Sequence, residues 1–332
     1  MEKDAYHDFL QATWKHAEME ALLTALELGI FDAISEGYHT AEPLSQKQNY
    51  HLPTIERILL LLKNSEFLTE DSGKYYVAEK YAAYILKSSP LYNGQIWLLH
   101  QQLNRELFGH LTEMARTGTS GINVFADNDA KVWESAMPFL NSLAKISAEN
   151  VVSYFKTNLL QKDHVTILDL GCGTGVYTAS LLEENTTWRG IGIDIEKVVE
   201  IAEDINESLV SQGRIHFQSG DILKELSNVP KCDIIILSNV MHGYNQQENI
   251  ELIKNASNYL KLDGIIVVNE FLLTNPSDNL ESMFDLFFSL VGTGRSFTDQ
   301  HLLQIFKAVD FVKAGQIGLD GPSTVYIFSK NQ

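Results

Sequence analysis

Val165-Thr166-Ile167-Leu168-Asp169-Leu170-Gly171-Cys172-Gly173-Thr174-Gly175 reads as a strand running into a turn of three alternate glycines. The first six residues are too few and too β-branched for a helix. An apolar run of this length fits a parallel strand covered on both faces. The glycines let the backbone turn sharply and approach a ligand with no Cβ in the way. A helix is expected from about Val176 to Glu184, with its free N–H groups and positive dipole end turned toward that ligand. The turn is therefore a candidate site for a nucleotide-like cofactor.

Spacing narrows the ligand. A dinucleotide fold needs G-x-G-x-x-G, whereas the register here is G-x-G-x-G, with Val176 where the last glycine should stand. Asp169, two residues before the first glycine, would repel a pyrophosphate but hold the ammonium of a methionine moiety. S-adenosylmethionine is favoured over a nicotinamide dinucleotide on that ground. Trp188-Arg189-Gly190-Ile191-Gly192-Ile193-Asp194 is a second strand, and Asp194 at its end suits ribose hydroxyls. After a third strand, Ile215-His216-Phe217-Gln218, the segment Gly220-Asp221-Ile222 presents Asp221 to an adenine amino group. The expected cofactor set is Asp169, Gly171, Gly173, Gly175, Asp194, Asp221 and Ile222.

Composition bounds the rest. The 332 residues, 45% of them hydrophobic, suffice for one large domain and a smaller one. With 43 acidic against 25 basic residues, the net charge of −18 argues against a nucleic-acid or anionic-membrane partner. Cys172 and Cys232 lack metal-ligand spacing and suit a reducing compartment. No apolar leader or spanning stretch is visible, so a cytoplasmic location is expected.

Upstream, helical spacing of Leu10, Trp14, Ala17, Leu22 and Leu26 predicts a helix over about 8–30. Two more follow at Thr40 to Gln48 and Thr54 to Lys63. Phe67 to Val77 reads as a hairpin turning at Asp71-Ser72-Gly73. Three helices and a wing make a winged-helix-like module. A DNA reader needs a basic recognition helix, and Thr54 to Lys63 offers only Arg57 and Lys63 beside a broad apolar face. Residues 1–100 are thus expected to form one domain, 101–158 a helical linker and pocket segment, and 159–332 the cofactor-binding domain.

From about Val165 onward the chain resembles S-adenosylmethionine-dependent methyltransferases. Nearly all of it resembles the small-molecule O-methyltransferase family that includes acetylserotonin, caffeate and bacterial polyketide O-methyltransferases. The resemblance implies an α/β fold: a doubly wound, Rossmann-like methyltransferase domain behind an N-terminal winged-helix-like dimerisation domain, opened by Leu28-Gly29-Ile30-Phe31-Asp32. A homodimer follows from it. Where the family carries a His-Asp-Trp triplet, this chain has His242-Gly243-Tyr244, so the histidine is kept and the acid's contact is lost. His242 is implied as general base, oriented by Glu270 and Asp299. Phe139 falls in the segment that covers cofactor and substrate, Ser238 beside the cofactor, and Asn239, Met241, Met283 and Phe287 around the acceptor. No metal is implied, although His242 with His301 leaves a metal-assisted route open.

The chemistry asks for such a base. A phenol of pKa about 10 is mostly neutral at pH 7, and an imidazole of pKa about 6.5 can take its proton as attack proceeds. The expected activity is methyl transfer to a hydroxyl of an aromatic or polyketide-like small molecule of secondary metabolism. The alternatives are C- or N-methylation of a keto acid or related molecule, a DNA-binding sensor of the cofactor, and an enzyme that binds the cofactor without using its methyl group.

Overall fold

Asp4 starts the first helix, Ala5–Glu27, by accepting the N–H of Tyr6 at 3.1 Å. Gly29, at φ +67°, ends it, so the single helix expected to residue 30 is two, the second being Ile30–Ser35. Ala41–Gln48 stops at Asn49 in the left-handed region, and Leu52–Asn64 begins with Pro53 in its first turn. The hairpin pairs β1 (Leu68–Asp71) with β2 (Lys74–Val77). Ser72 and Gly73, at φ +51° and +78°, make the two-residue turn that matches strand twist. Helix Glu79–Ile85 follows. Leu26, Ile30, Phe31, Leu44, Ile55, Leu59 and Leu62 form the core, each burial contributing roughly 1.5–3 kcal/mol. The first half of Ala5–Glu27 leaves this core, with Tyr6, Phe9 and Trp14 at 65%, 63% and 69% exposure.

This architecture comes from a computed structural model that describes residues 4–94, 97–98, 105, 107–119, 121, 130–158, 162–274, 278–291, 294–318 and 323–331. The chain divides into two units, Met1–Leu103 and Asn104–Gln332.

In the second unit, β3 (Thr166–Leu170), β4 (Arg189–Asp194), β5 (Ile215–Ser219), β6 (Cys232–Ser238) and β7 (Leu260–Phe271) run parallel. An antiparallel pair, β8 (Phe311–Gly318) and β9 (Ser323–Lys330), extends them in the order β5-β4-β3-β6-β7-β9-β8. The sheet is therefore mixed at one edge. Alternate residues serve opposite faces: Leu168, Ile235, Leu237, Ile266 and Val268 join one core, and Ile167, Ile234, Ile236 and Val267 the other. Strand order reverses between β3 and β6, which opens a crevice at their carboxyl ends. The glycine turn leaves β3 there, and the His242 segment leaves β6. The helix after the turn is Val176–Glu184. Gly190 and Gly192 on β4 are small because added Cβ atoms would meet Thr178 Cγ2 at 2.4 Å and Phe217 Cδ1 at 2.5 Å. Among the described residues no helix is long and apolar enough to cross a membrane.

Candidate active site

All three turn glycines have positive φ: +69° at Gly171, +55° at Gly173 and +74° at Gly175. Gly171 and Gly175 are also hemmed in, since a Cβ would lie 2.5 Å from Val240 Cγ2 or 2.8 Å from Phe217 Cζ. Among the described residues there is room above Gly173, the first atom met being Met137 Sδ at 4.0 Å. Four N–H groups of the turn are spent within the protein. Gly171 and Cys172 donate to Ile193 O (2.8 and 3.1 Å), Gly173 to Asp194 Oδ2 (2.8 Å) and Gly175 to Cys172 O (2.8 Å). With a carboxylate on the Gly173 N–H, the turn does not form a nest for phosphate.

Two further contacts pin the turn. Thr174 Oγ1 donates to Asn141 Oδ1 at 2.8 Å, from the helix Ala130–Asn158, and Asn206 Nδ2 donates to Thr174 O at 2.8 Å. Phe139 belongs to that same long helix, but its side chain lies outside the described residues. Asp194 Oδ1 accepts the N–H of Ile195 at 2.8 Å, so each of its oxygens keeps capacity for a second bond. Burial raises its carboxyl pKa, against the hydrogen bonds from Gly173 and Ile195. Asp221 is exposed, accepting from Leu223 N at 3.0 Å and pairing with Lys224 at 2.9 Å, while Ile222 beside it is buried. Ser238 Oγ and Tyr177 Oη accept from Asn269 Nδ2 at 3.1 and 2.7 Å.

Asp169 is buried and accepts from Thr178 Oγ1 at 2.7 Å. Burial pushes its carboxyl up to about 7, the Thr178 bond opposing and the charge of Asp194 adding. Were a cationic cofactor bound beside it, the ionised form would be favoured and binding would expel a proton below that pH. Affinity for S-adenosylhomocysteine is therefore expected to fall about tenfold per pH unit below about 7 and to level off above it. Calorimetry across this range, in buffers of different ionisation enthalpy, checks it; a flat profile without proton release contradicts it. In the unliganded protein the sign is opposite, because stability contributed by this raised carboxyl is lost as pH climbs from the ordinary range through about 7.

At the end of β6 the chain enters a short 3-10 turn, Met241–Gly243. Glu270, fully buried on β7, receives it. Its Oε1 accepts the N–H groups of Val240 (2.8 Å), Met241 (2.6 Å) and, more loosely, His242 (3.4 Å). Its Oε2 lies 2.8 Å from His242 Nδ1. A carboxylate only accepts, so Nδ1 carries the proton and Nε2 holds the basic lone pair. The imidazole stacks on Phe288 (4.0 Å between centroids, 22°) and meets Phe271 edge-on at 5.8 Å. Phe284 packs on Phe271 at 4.6 Å and Phe287 on Phe288 at 5.8 Å.

Three expected residues stand apart from this cluster. Asp299 opens the helix Asp299–Lys307 and accepts from the Tyr326 hydroxyl of β9, while the carboxylate on His242 Nδ1 is Glu270. Met241 is fully buried in the core, with its N–H on Glu270. Met283 is 60% exposed on the helix Asn279–Val291, where the ring contacts belong to Phe284, Phe287 and Phe288. Asn239, at φ +54°, donates its N–H to Asn269 O at 2.7 Å. His301 is exposed, and no group of three metal-ligating side chains occurs among the described residues. Gly294 was missed: a Cβ there would lie 1.8 Å from His242 O, so its backbone runs against the histidine turn.

The open space over Gly173, with the Asp194 carboxylate on its N–H, fits a cationic amino-acid cofactor better than a dinucleotide. Fold and cradle together define an S-adenosylmethionine-dependent methyltransferase. Residues 105–312 match the O-methyltransferase domain and residues 11–88 the O-methyltransferase dimerisation domain, so the chain belongs to the O-methyltransferase family. It is similar to the S-adenosyl-L-methionine-dependent methyl transferase PigF of a Serratia species, at 22% identity over 330 residues (94% of this chain, 92% of the relative). It is also similar to the N,N-dimethyltransferase OxyT of Streptomyces rimosus, at 21% identity over 241 residues (70% and 68%). Its fold matches human N-acetylserotonin methyltransferase, solved with S-adenosylmethionine, at a TM-score of 0.83 and 20% identity over 100% of this chain and 99% of that one.

Proposed function

We propose that the chain methylates a hydroxyl oxygen of an aromatic or polyketide-like small molecule, with His242 as general base and Glu270 fixing its tautomer. S-adenosylmethionine supplies an electrophilic methyl group on a sulfonium. Asp169, Asp194 and Asp221, with Gly171, Gly173 and Gly175, hold that cofactor, and Ile222, Ser238 and Phe139 complete its surroundings. His242 Nε2 takes the acceptor's proton, and the imidazolium so formed is stabilised by Glu270. Phe271, Phe284, Phe287 and Phe288 supply flat apolar walls suited to an aromatic acceptor, with Asn239 at the rim. Holding oxygen and methyl in line contributes roughly 7 kcal/mol or more.

The single observation carrying this reading is the 2.8 Å contact of His242 Nδ1 with buried Glu270. A neutral amine acceptor carries its own lone pair and has less need of such a base, which favours oxygen over nitrogen despite OxyT. We further infer a homodimer through the N-terminal domain, where Trp14 of the matched segment is exposed. A cytoplasmic location and division near residues 100 and 158 complete the proposal. The test is a panel of phenols, enols and keto acids, read by S-adenosylhomocysteine release and by mass fragmentation of the product. Methyl on oxygen is expected, and methyl on nitrogen or carbon of the best acceptor overturns the assignment.

A further inference from the structure

The histidine turn is gripped from both sides. Glu270 collects its N–H groups, and Asn249, on the helix Gln246–Ser257, collects its carbonyls. Asn249 is fully buried, with Nδ2 at 2.9 Å from Met241 O, 3.0 Å from Tyr244 O and 3.1 Å from Asn245 O. These carbonyls bracket His242. Asn249 Oδ1 has no hydrogen-bond partner among the described residues, at a cost of about 1–3 kcal/mol. That cost is tolerated because the opposite amide orientation would aim Oδ1 at three carbonyl oxygens. Gly243, standing where the resembled family carries an acid, offers the turn no side chain of its own. The backbone of Gly294 closes a third side.

We infer that Asn249 is a positioning residue for His242: its amide fixes the carbonyl side of the 3-10 turn and so aims the imidazole that Glu270 orients. This rests on the base reading above, and the readouts are chosen to separate the two. Asn249→Leu keeps the volume and removes the donors. It is expected to lower kcat roughly 10- to 100-fold, as small misplacements of a reacting group do, with KM and S-adenosylhomocysteine affinity within about threefold of wild type. Asn249→Ser, smaller and still a donor, is expected to lie between and covers the case in which leucine does not fold. In a His242→Ala background neither substitution is expected to slow the reaction further. The proton on His242 Nδ1, followed by nitrogen-15 NMR of histidine-labelled protein and assigned by its loss in His242→Ala, is expected to shift in both Asn249 variants. Losses that add to that of His242→Ala, or an Nδ1 signal unmoved in the folded variants, overturn the inference. A wild-type rate in His242→Ala sinks the base reading alone, and the imidazole signal still decides the role of Asn249.

Discussion

Glu270→Gln is expected to lower kcat by roughly 10³- to 10⁴-fold while the cofactor still binds, the size seen when a catalytic histidine is given the wrong tautomer. The carboxylate accepts from the Val240 and Met241 N–H groups through one oxygen and faces His242 Nδ1 through the other. Glutamine nearly matches it in shape and retains one accepting oxygen. If that oxygen stays on the backbone N–H groups, the new NH2 must face Nδ1. The imidazole then accepts at Nδ1 and carries its proton on Nε2, where the base should be. Single-turnover methyl transfer and S-adenosylhomocysteine affinity, measured on the same preparation, separate this from unfolding. A rate within tenfold of wild type would show that Glu270 does not orient the base.

Gly173→Ala is expected to lose cofactor affinity in addition to a modest loss of stability. At φ +55° an alanine pays about 1–2 kcal/mol of left-handed strain, worth a few degrees of melting temperature in a unit of this size. Among the described residues its methyl group meets nothing closer than Met137 Sδ at 4.0 Å, so it projects into the space assigned to the cofactor. Overpacking there costs about 1–3 kcal/mol of binding, roughly 5- to 150-fold in Kd. Gly171→Ala and Gly175→Ala add clashes with Val240 and Phe217 to the same strain, so stability should fall further. Calorimetry and thermal melts on the three variants make the comparison, and equal Kd values for Gly173→Ala and wild type would move the cofactor elsewhere.

The strand, turn and helix around Gly171 were legible because their signals are local: alternation of core faces, glycine spacing and an acid at each strand end. The winged hairpin was legible for the same reason, through Ser72-Gly73. Sequence did not reveal which N–H groups the turn would keep for itself, since that depends on Ile193 and Asp194 arriving from the neighbouring strand. Asp299 looked like a partner for His242 in sequence register. Its partner, Tyr326, comes from an antiparallel strand that adjacent residues do not announce. Met241 reads as a site residue by adjacency, yet a 3-10 turn directs neighbouring side chains differently, and this one goes into the core. Asn249 and Gly294 carry no motif. Only their approach to the histidine turn from other elements makes them visible.

Removal of the acceptor's proton by His242, at the end of β6, is measured most directly by the single-turnover rate of methyl transfer to the best hydroxyl acceptor, compared between wild type and His242→Ala at equal cofactor saturation. A loss of about 10²- to 10⁴-fold is expected, the usual worth of a positioned general base, with S-adenosylhomocysteine binding unchanged. An alanine variant that transfers methyl as fast as wild type would contradict it.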